Sequence, residues 1–203
     1  MRRHSMRGFS LVETMIVLVL ILTISAIAII SLKPGLQQAH VANGYNITLA
    51  AIRQAHDYAI AQRQIYSVTF SNASVPNTIT ITQVGNGNVV ATYQLPTDVA
   101  FTNVAGIPTA ANATPDGFGV GNYAIDFDQT FSSGTPSLQT VIRFWPDGTG
   151  EDINQNLNNG VIYIARPGQL LSSRAITVWG ATGRIRGWRL VGSGAGTVYW
   201  RQT

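Results

Sequence analysis

Nineteen consecutive residues without a charge, Thr14 to Leu32 (TMIVLVLILTISAIAIISL), stand between Glu13 and Lys33 near the start of the chain. A helix rises about 1.5 Å per residue, so a run of this length matches the roughly 30 Å hydrocarbon core of a bilayer. The sequence therefore predicts a membrane-spanning helix followed by a region that folds outside the lipid. Ahead of it, MRRHSMRG carries Arg2, Arg3 and Arg7, which by the positive-inside rule hold this end in the cytoplasm and send the remainder outward. A cleaved secretory signal has similar parts, but its short apolar region and polar small-residue cleavage site are missing here. The run continues to Leu32 and leads into more helix.

With 203 residues, 45% of them hydrophobic, the chain has material for one membrane segment and one modest folded domain. Cysteine is absent, which excludes disulfides, thiolate-ligated zinc or iron–sulfur clusters, and thiol catalysis. Charged residues make up 11%, far below the roughly 25% of an average domain. Together with 20 glycines, this low charge points to a turn-rich β region and suits a secreted or surface-assembled protein better than a cytoplasmic enzyme. The net charge of +4 is unevenly spread. From Phe9 to Asp152 all nine acids face only Lys33, Arg53, Arg63 and Arg143. Beyond Asp152 come Arg166, Arg174, Arg184, Arg186, Arg189 and Arg201 with no acid, a basic final third.

Glu13 is the costly residue, because a carboxylate at the edge of a membrane segment needs a partner. It closes the string Gly8-Phe9-Ser10-Leu11-Val12-Glu13, which resembles the class III signal sequence of type IV pilins and type II secretion pseudopilins. The resemblance implies that a membrane prepilin peptidase cuts between Gly8 and Phe9 on the cytoplasmic side and methylates the new N-terminus at Phe9. Glu13 would then be the fifth mature residue, matching the acid that the family uses in filament assembly. Its carboxylate would compensate the amine of a neighbouring subunit in a poorly hydrated bundle.

After Lys33-Pro34-Gly35 a helical pattern resumes. Leu36, Ala39, Ala42, Tyr45, Leu49, Ile52, Ala55, Ala59 and Ile60 recur at mostly three- or four-residue intervals and form one apolar stripe. Pro34 is a candidate kink. A helix over Phe9 to Gln64 would be about 84 Å long, an anchor and an assembly spine. His40 and His56 belong to no ligand cluster, and adjacent helical residues such as His56 and Asp57 do not point together.

Past Gln64 the period changes to two. SVTF and NTITITQ are followed by Gly85-Asn86-Gly87 and NVVATYQL, a hairpin signal. Further strands are expected at Tyr123–Phe127, Thr140–Phe144, Gly160–Ala165 and Ala175–Gly180, with Thr102 to Gly121 a surface loop. The fold class is α+β: a long N-terminal helix, its first half in the membrane, packed on a C-terminal antiparallel β domain. The expected divisions are a leader at 1–8, a membrane and filament-core helix at 9–32, a soluble helical half at 33–64, and a β-rich globular domain at 65–203.

Phe144-Trp145-Pro146-Asp147-Gly148 reads as strand into turn. Asp147, Glu151 and Asp152 do not reproduce a calcium-loop spacing, and Asp126 and Asp128 have no accompanying acid/base or nucleophile signature, so neither metal, cofactor nor catalysis is expected. Phe144-x-Pro146-x-Gly148 followed by an IT-V strand and Gly183-Arg184-Ile185-Arg186 is similar to the globular domain of the H pseudopilin and FimT/FimU minor-pilin family. The resemblance implies a non-enzymatic minor subunit in the tip region of a type II secretion pseudopilus, anchored in inner-membrane lipid before assembly. Its partners would be the prepilin peptidase and N-methyltransferase, and other minor and major pilins or pseudopilins. The alternative it implies is a FimT-like type IV minor pilin that captures double-stranded DNA. In that reading Arg184, Arg186 and Arg189 contact phosphate, with Trp179 and Trp188 near them for stacking. Arginines on a terminal hairpin serve equally as a solvated rim or as contacts to acidic neighbours.

Overall fold

The computed structural model describes residues 10–119, 123–127, 140–152, 154–194 and 196–203. Helix α1 runs from Leu11 to Gln62, with Pro34 inside it. Ser10 caps its start: its Oγ accepts a bond from Val12 N–H at 3.3 Å, and its carbonyl accepts one from Thr14 N–H at 3.1 Å. The chain divides into two compact units, Met1–Gln38 and Ala39–Thr203. In the first, the apolar side chains from Leu11 to Leu36 that are described stand exposed, on a helix long and apolar enough to cross a membrane.

In the second unit, the end of α1 packs against two sheets, which together hold eleven strands among the described residues. One sheet has the order β3 (Asn88–Gln94), β2 (Thr78–Gln83), β1 (Tyr66–Ser71), β6 (Val141–Phe144), β7 (Gly150–Glu151). The other runs β11 (Val198–Gln202), β10 (Arg184–Gly192), β9 (Arg174–Trp179), β8 (Gly160–Ala165), β4 (Ala100–Phe101), with β5 (Ile125–Phe127) also on β8. Every strand pairing among the described residues is antiparallel.

The helix covers one face of both sheets. Its buried positions are Val41, Gly44, Tyr45, Thr48, Ala51, Ile52, Ala55 and Ala59, which recur at steps of three and four along one face. This stripe shares Tyr45, Ile52, Ala55 and Ala59 with the one read from sequence, while Ala42 and Leu49 are half-buried at its edge and Leu36, Ala39 and Ile60 are exposed. Thr48 takes a place in it because its hydroxyl donates to Gly44 O at 2.8 Å, which removes the cost of burying it. Under the stripe lie Val68, Ile79 and Ile81 of the first sheet and Ile162, Ile164, Ile176 and Val178 of the second, in one core.

A second core forms on the far face of the second sheet, from Val161, Tyr163, Ala175, Leu190 and Trp200 roofed by Ile107 and Phe118. Both faces of β8 are therefore buried, as its uninterrupted apolar sequence demands. The roof corrects one expectation: described residues of the Thr102–Gly121 stretch are a structural cover as well as a surface loop. The hairpin expected at Gly85-Asn86-Gly87 joins β2 to β3. Its connection is Val84–Gly87, and Gly87 is the residue there with positive φ, at 70°. The Ala175–Gly180 strand is β9, while β10 and β11 extend the sheet through the basic segment and the tail.

Candidate functional site

Two regions carry the residues singled out from sequence. At the N-terminus, Gly8 and Phe9 lie outside the described residues, as do Arg2, Arg3 and Arg7. Glu13 is exposed in the first turn of α1, three residues after the capping serine, where a negative charge suits the positive end of the helix dipole. Among the described residues it has no ion-pair partner.

The second region is built where the two C-terminal motifs meet. Gly148, closing Phe144–Gly148, and Gly183, opening Gly183–Arg186, converge on His56 of α1. The His56 imidazole is 3.2 Å from the Gly148 carbonyl through Nε2, and its ring meets Phe144 edge-on at 5.3 Å. Gly183 has φ 59° and closes the turn from β9 into β10, and a Cβ there would lie inside 3.0 Å of both Gly148 O and His56 Nε2. Gly183 is thus needed to let its turn close over the helix, whereas Gly148 serves its own turn through a positive φ of 87°. His56 binds helix to sheet, while His40 pairs with Asp98 at 2.9 Å, which also faces Arg166 at 3.9 Å.

From Gly183 the strand alternates. Arg184, Arg186 and Trp188 stand opposite Trp179, Thr177 and Ala175 of β9, on the face away from α1. Arg184 is exposed, with its guanidinium 5.3 Å from the Trp179 ring centre. Arg186 is committed to a polar network: it donates to Asp116 Oδ1 at 2.7 Å, Thr177 Oγ1 donates to Asp116 Oδ2, and Trp188 Nε1 donates to Thr177 Oγ1 at 3.0 Å. The Asp116 side chain is 5% exposed, so Arg186 neutralises an otherwise buried carboxylate. Arg189 is one position out of phase and projects from the opposite face, toward α1. Arg184 and Arg186 therefore share one face, and Arg189 does not join them. The period-two rule contained this separation, but Asp116 could not be found from sequence, because the partners are 70 residues apart.

The remaining acids serve turns. Asp147 accepts bonds from the Thr149 hydroxyl at 2.7 Å and its N–H at 3.0 Å, which hold its carboxyl below the usual value. For Asp152, burial opposes the charge, but bonds from Asn156 and Asn154 and the nearby Arg143 outweigh it and the net shift is downward. Asp126 is buried on the far face of β5, and burial together with its charge pushes the Tyr163 phenol well above its usual value. Asp128 lies outside the described residues. Among the described residues, no group of three or more His, Asp or Glu could hold a metal ion, and the chain has no cysteine.

Residues 3–29 match the prokaryotic N-terminal methylation motif. The matched segment thus includes Gly8, Phe9 and Glu13 and ends within the apolar run. Among solved structures, the type IV minor pilin FimU of Pseudomonas aeruginosa is similar at 13% identity, with 76% of this chain and 89% of that one covered and a TM-score of 0.42. Comparison with curated protein sequences gives no match.

Proposed function

We propose that this chain is a non-enzymatic minor pseudopilin that is processed at the inner membrane and assembles into the tip region of a type II secretion pseudopilus. The observation that carries the reading is the methylation motif over residues 3–29, continuous with an exposed apolar helix whose far end contributes to the core of a globular unit. In this reading the peptidase cuts after Gly8 and methylates Phe9. The apolar half of α1 rests in lipid and then enters a bundle of like helices, where Glu13 meets a neighbour's amine. The Ala39–Thr203 unit selects the neighbours. The test is intact mass of the membrane-derived chain from strains with and without the peptidase. A mature chain starting at methylated Phe9 only when the peptidase is present supports the reading, and a chain lacking the Leu11–Leu32 segment overturns it.

A second reading, DNA capture by a type IV minor pilin, draws on Arg184, an exposed cation beside an indole face. Arg186 is already ion-paired and Arg189 is on the other face, so the charge offered to one duplex is smaller than the string suggests. Duplex titration across salt concentrations tests it with R184Q alone, since replacing Arg186 also unpairs Asp116. A sequence-independent, salt-sensitive affinity that R184Q weakens favours DNA capture, and the absence of such binding removes it.

A further inference from the structure

On its helix-facing side the second sheet ends in a row of three arginines. Arg189 of β10 stands directly opposite Arg174 of β9 and Arg201 of β11. Cα atoms of facing antiparallel residues are about 4.5–5.5 Å apart, so three guanidinium groups leave one face side by side. Followed inward, the same row passes Ile164 of β8 and Phe101 of β4, both fully in the core. Like charges directly opposite each other weaken a sheet, and here two such pairs adjoin.

No acid among the described residues pairs with them. Arg174 is partly buried, with its guanidinium 5.5 Å from the Tyr45 ring centre, and burial and Arg189 both work against its charge. Arg189 and Arg201 are exposed. Tyr199, on the same face two residues before Arg201, is exposed as well and sets an amphipathic ring beside the cations. Sequence reading placed Arg189 with Arg184 and Arg186, and only the strand register reveals these neighbours.

A row of guanidinium forks without acids is suited to phosphate oxygens. Chain connectivity names the source. Tyr45, which packs on Arg174, follows Leu32 at the end of the apolar run by only 13 residues of chain. Basic residues tethered this close to a membrane segment meet anionic headgroups, and exposed tyrosines are favoured at that level. We propose that Arg174, Arg189 and Arg201 form a phosphate-binding row that seats the globular unit on anionic phospholipid headgroups of the membrane its own helix spans. The proposal rests on the membrane-anchored reading above. It adds a resting position for the subunit before assembly.

The absence of cysteine makes the test direct. A fluorophore on G194C, an exposed site with open space around it, reports energy transfer to headgroup-labelled lipid from the full chain in vesicles. Vesicles of phosphatidylcholine alone are compared with phosphatidylcholine mixed with phosphatidylglycerol. Transfer should rise with phosphatidylglycerol, fall back with added salt, and lose its rise in R189Q/R201Q while R189K/R201K retains most of it. Equal transfer in both lipids, or an unchanged double glutamine variant, overturns the proposal. Duplex DNA bound through the same two arginines, without any lipid dependence, also overturns it and makes the row a nucleic-acid contact. A chain that fails to float with the vesicles overturns the anchored reading itself, whereas a floating chain insensitive to phosphatidylglycerol overturns only the row.

Discussion

Replacing Gly183 by alanine tests the claim that the glycine of the Gly183–Arg186 string is there for packing. Two costs add. The first is conformational: at φ 59° a non-glycine residue pays roughly 1–2 kcal/mol. The second is steric. The new Cβ would sit inside 3.0 Å of the Gly148 carbonyl oxygen, which is backbone, and of His56 Nε2, whose ring is held against Phe144. Overpacking at such a site costs about 1–3 kcal/mol. The expected loss is therefore about 2–5 kcal/mol, and at about 2–4 °C per kcal/mol for a unit of this size the midpoint should fall by about 4–20 °C. Two other glycines separate the terms. Gly168 has φ 76° with no atom within 4 Å of its Cβ position, so G168A should show the conformational cost alone. Gly194 has open space and no positive φ, so G194A should change stability by less than about 0.5 kcal/mol. The assay is urea and thermal unfolding of the full chain in mild detergent. All four tryptophans, at 145, 179, 188 and 200, lie in the β-rich unit and report on it. If G183A proves no worse than G168A at equal m-value, the close approach to Gly148 and His56 is not what the glycine serves.

R186Q should destabilise the unit by about 1–3 kcal/mol, since it leaves the Asp116 carboxylate buried without its cation, and D116N/R186Q should recover part of that loss; a double variant less stable than R186Q in the same urea titration would contradict the pairing. Asp152 has a depressed carboxyl, so its stabilising contribution is complete above the ordinary carboxylate range near pH 4 and disappears as pH falls through its lower folded value. D152N should therefore lower stability at neutral pH and flatten the acid limb of the stability profile, and an acid limb parallel to wild type would show that these bonds do not matter. E13Q should insert into membranes at the wild-type level yet lose co-purification with partner pilins after crosslinking, while undiminished recovery at matched expression would remove the charge-pair role.

The membrane helix, the motif around Gly8 and Glu13, and the main predicted strands were legible because each depends on local order: an uncharged run, a short string, or a period of two over a few residues. The β-rich class follows from the same alternation. Tertiary structure decided everything that depends on which residues meet. It moved the buried helical stripe to include Val41 and Thr48, because the surface offered by two sheets, and not the residue types alone, chooses the face. It turned part of an apparent surface loop into a roof, because the second sheet has a far face that must also be covered. It also separated Arg189 from Arg184 and Arg186, supplying Asp116 to one face and Arg174 and Arg201 to the other. Sequence determines how many cations the last third carries, but their cross-strand partners come from distant segments through register, so only the folded chain settles which charges are neutralised and which remain to bind something else.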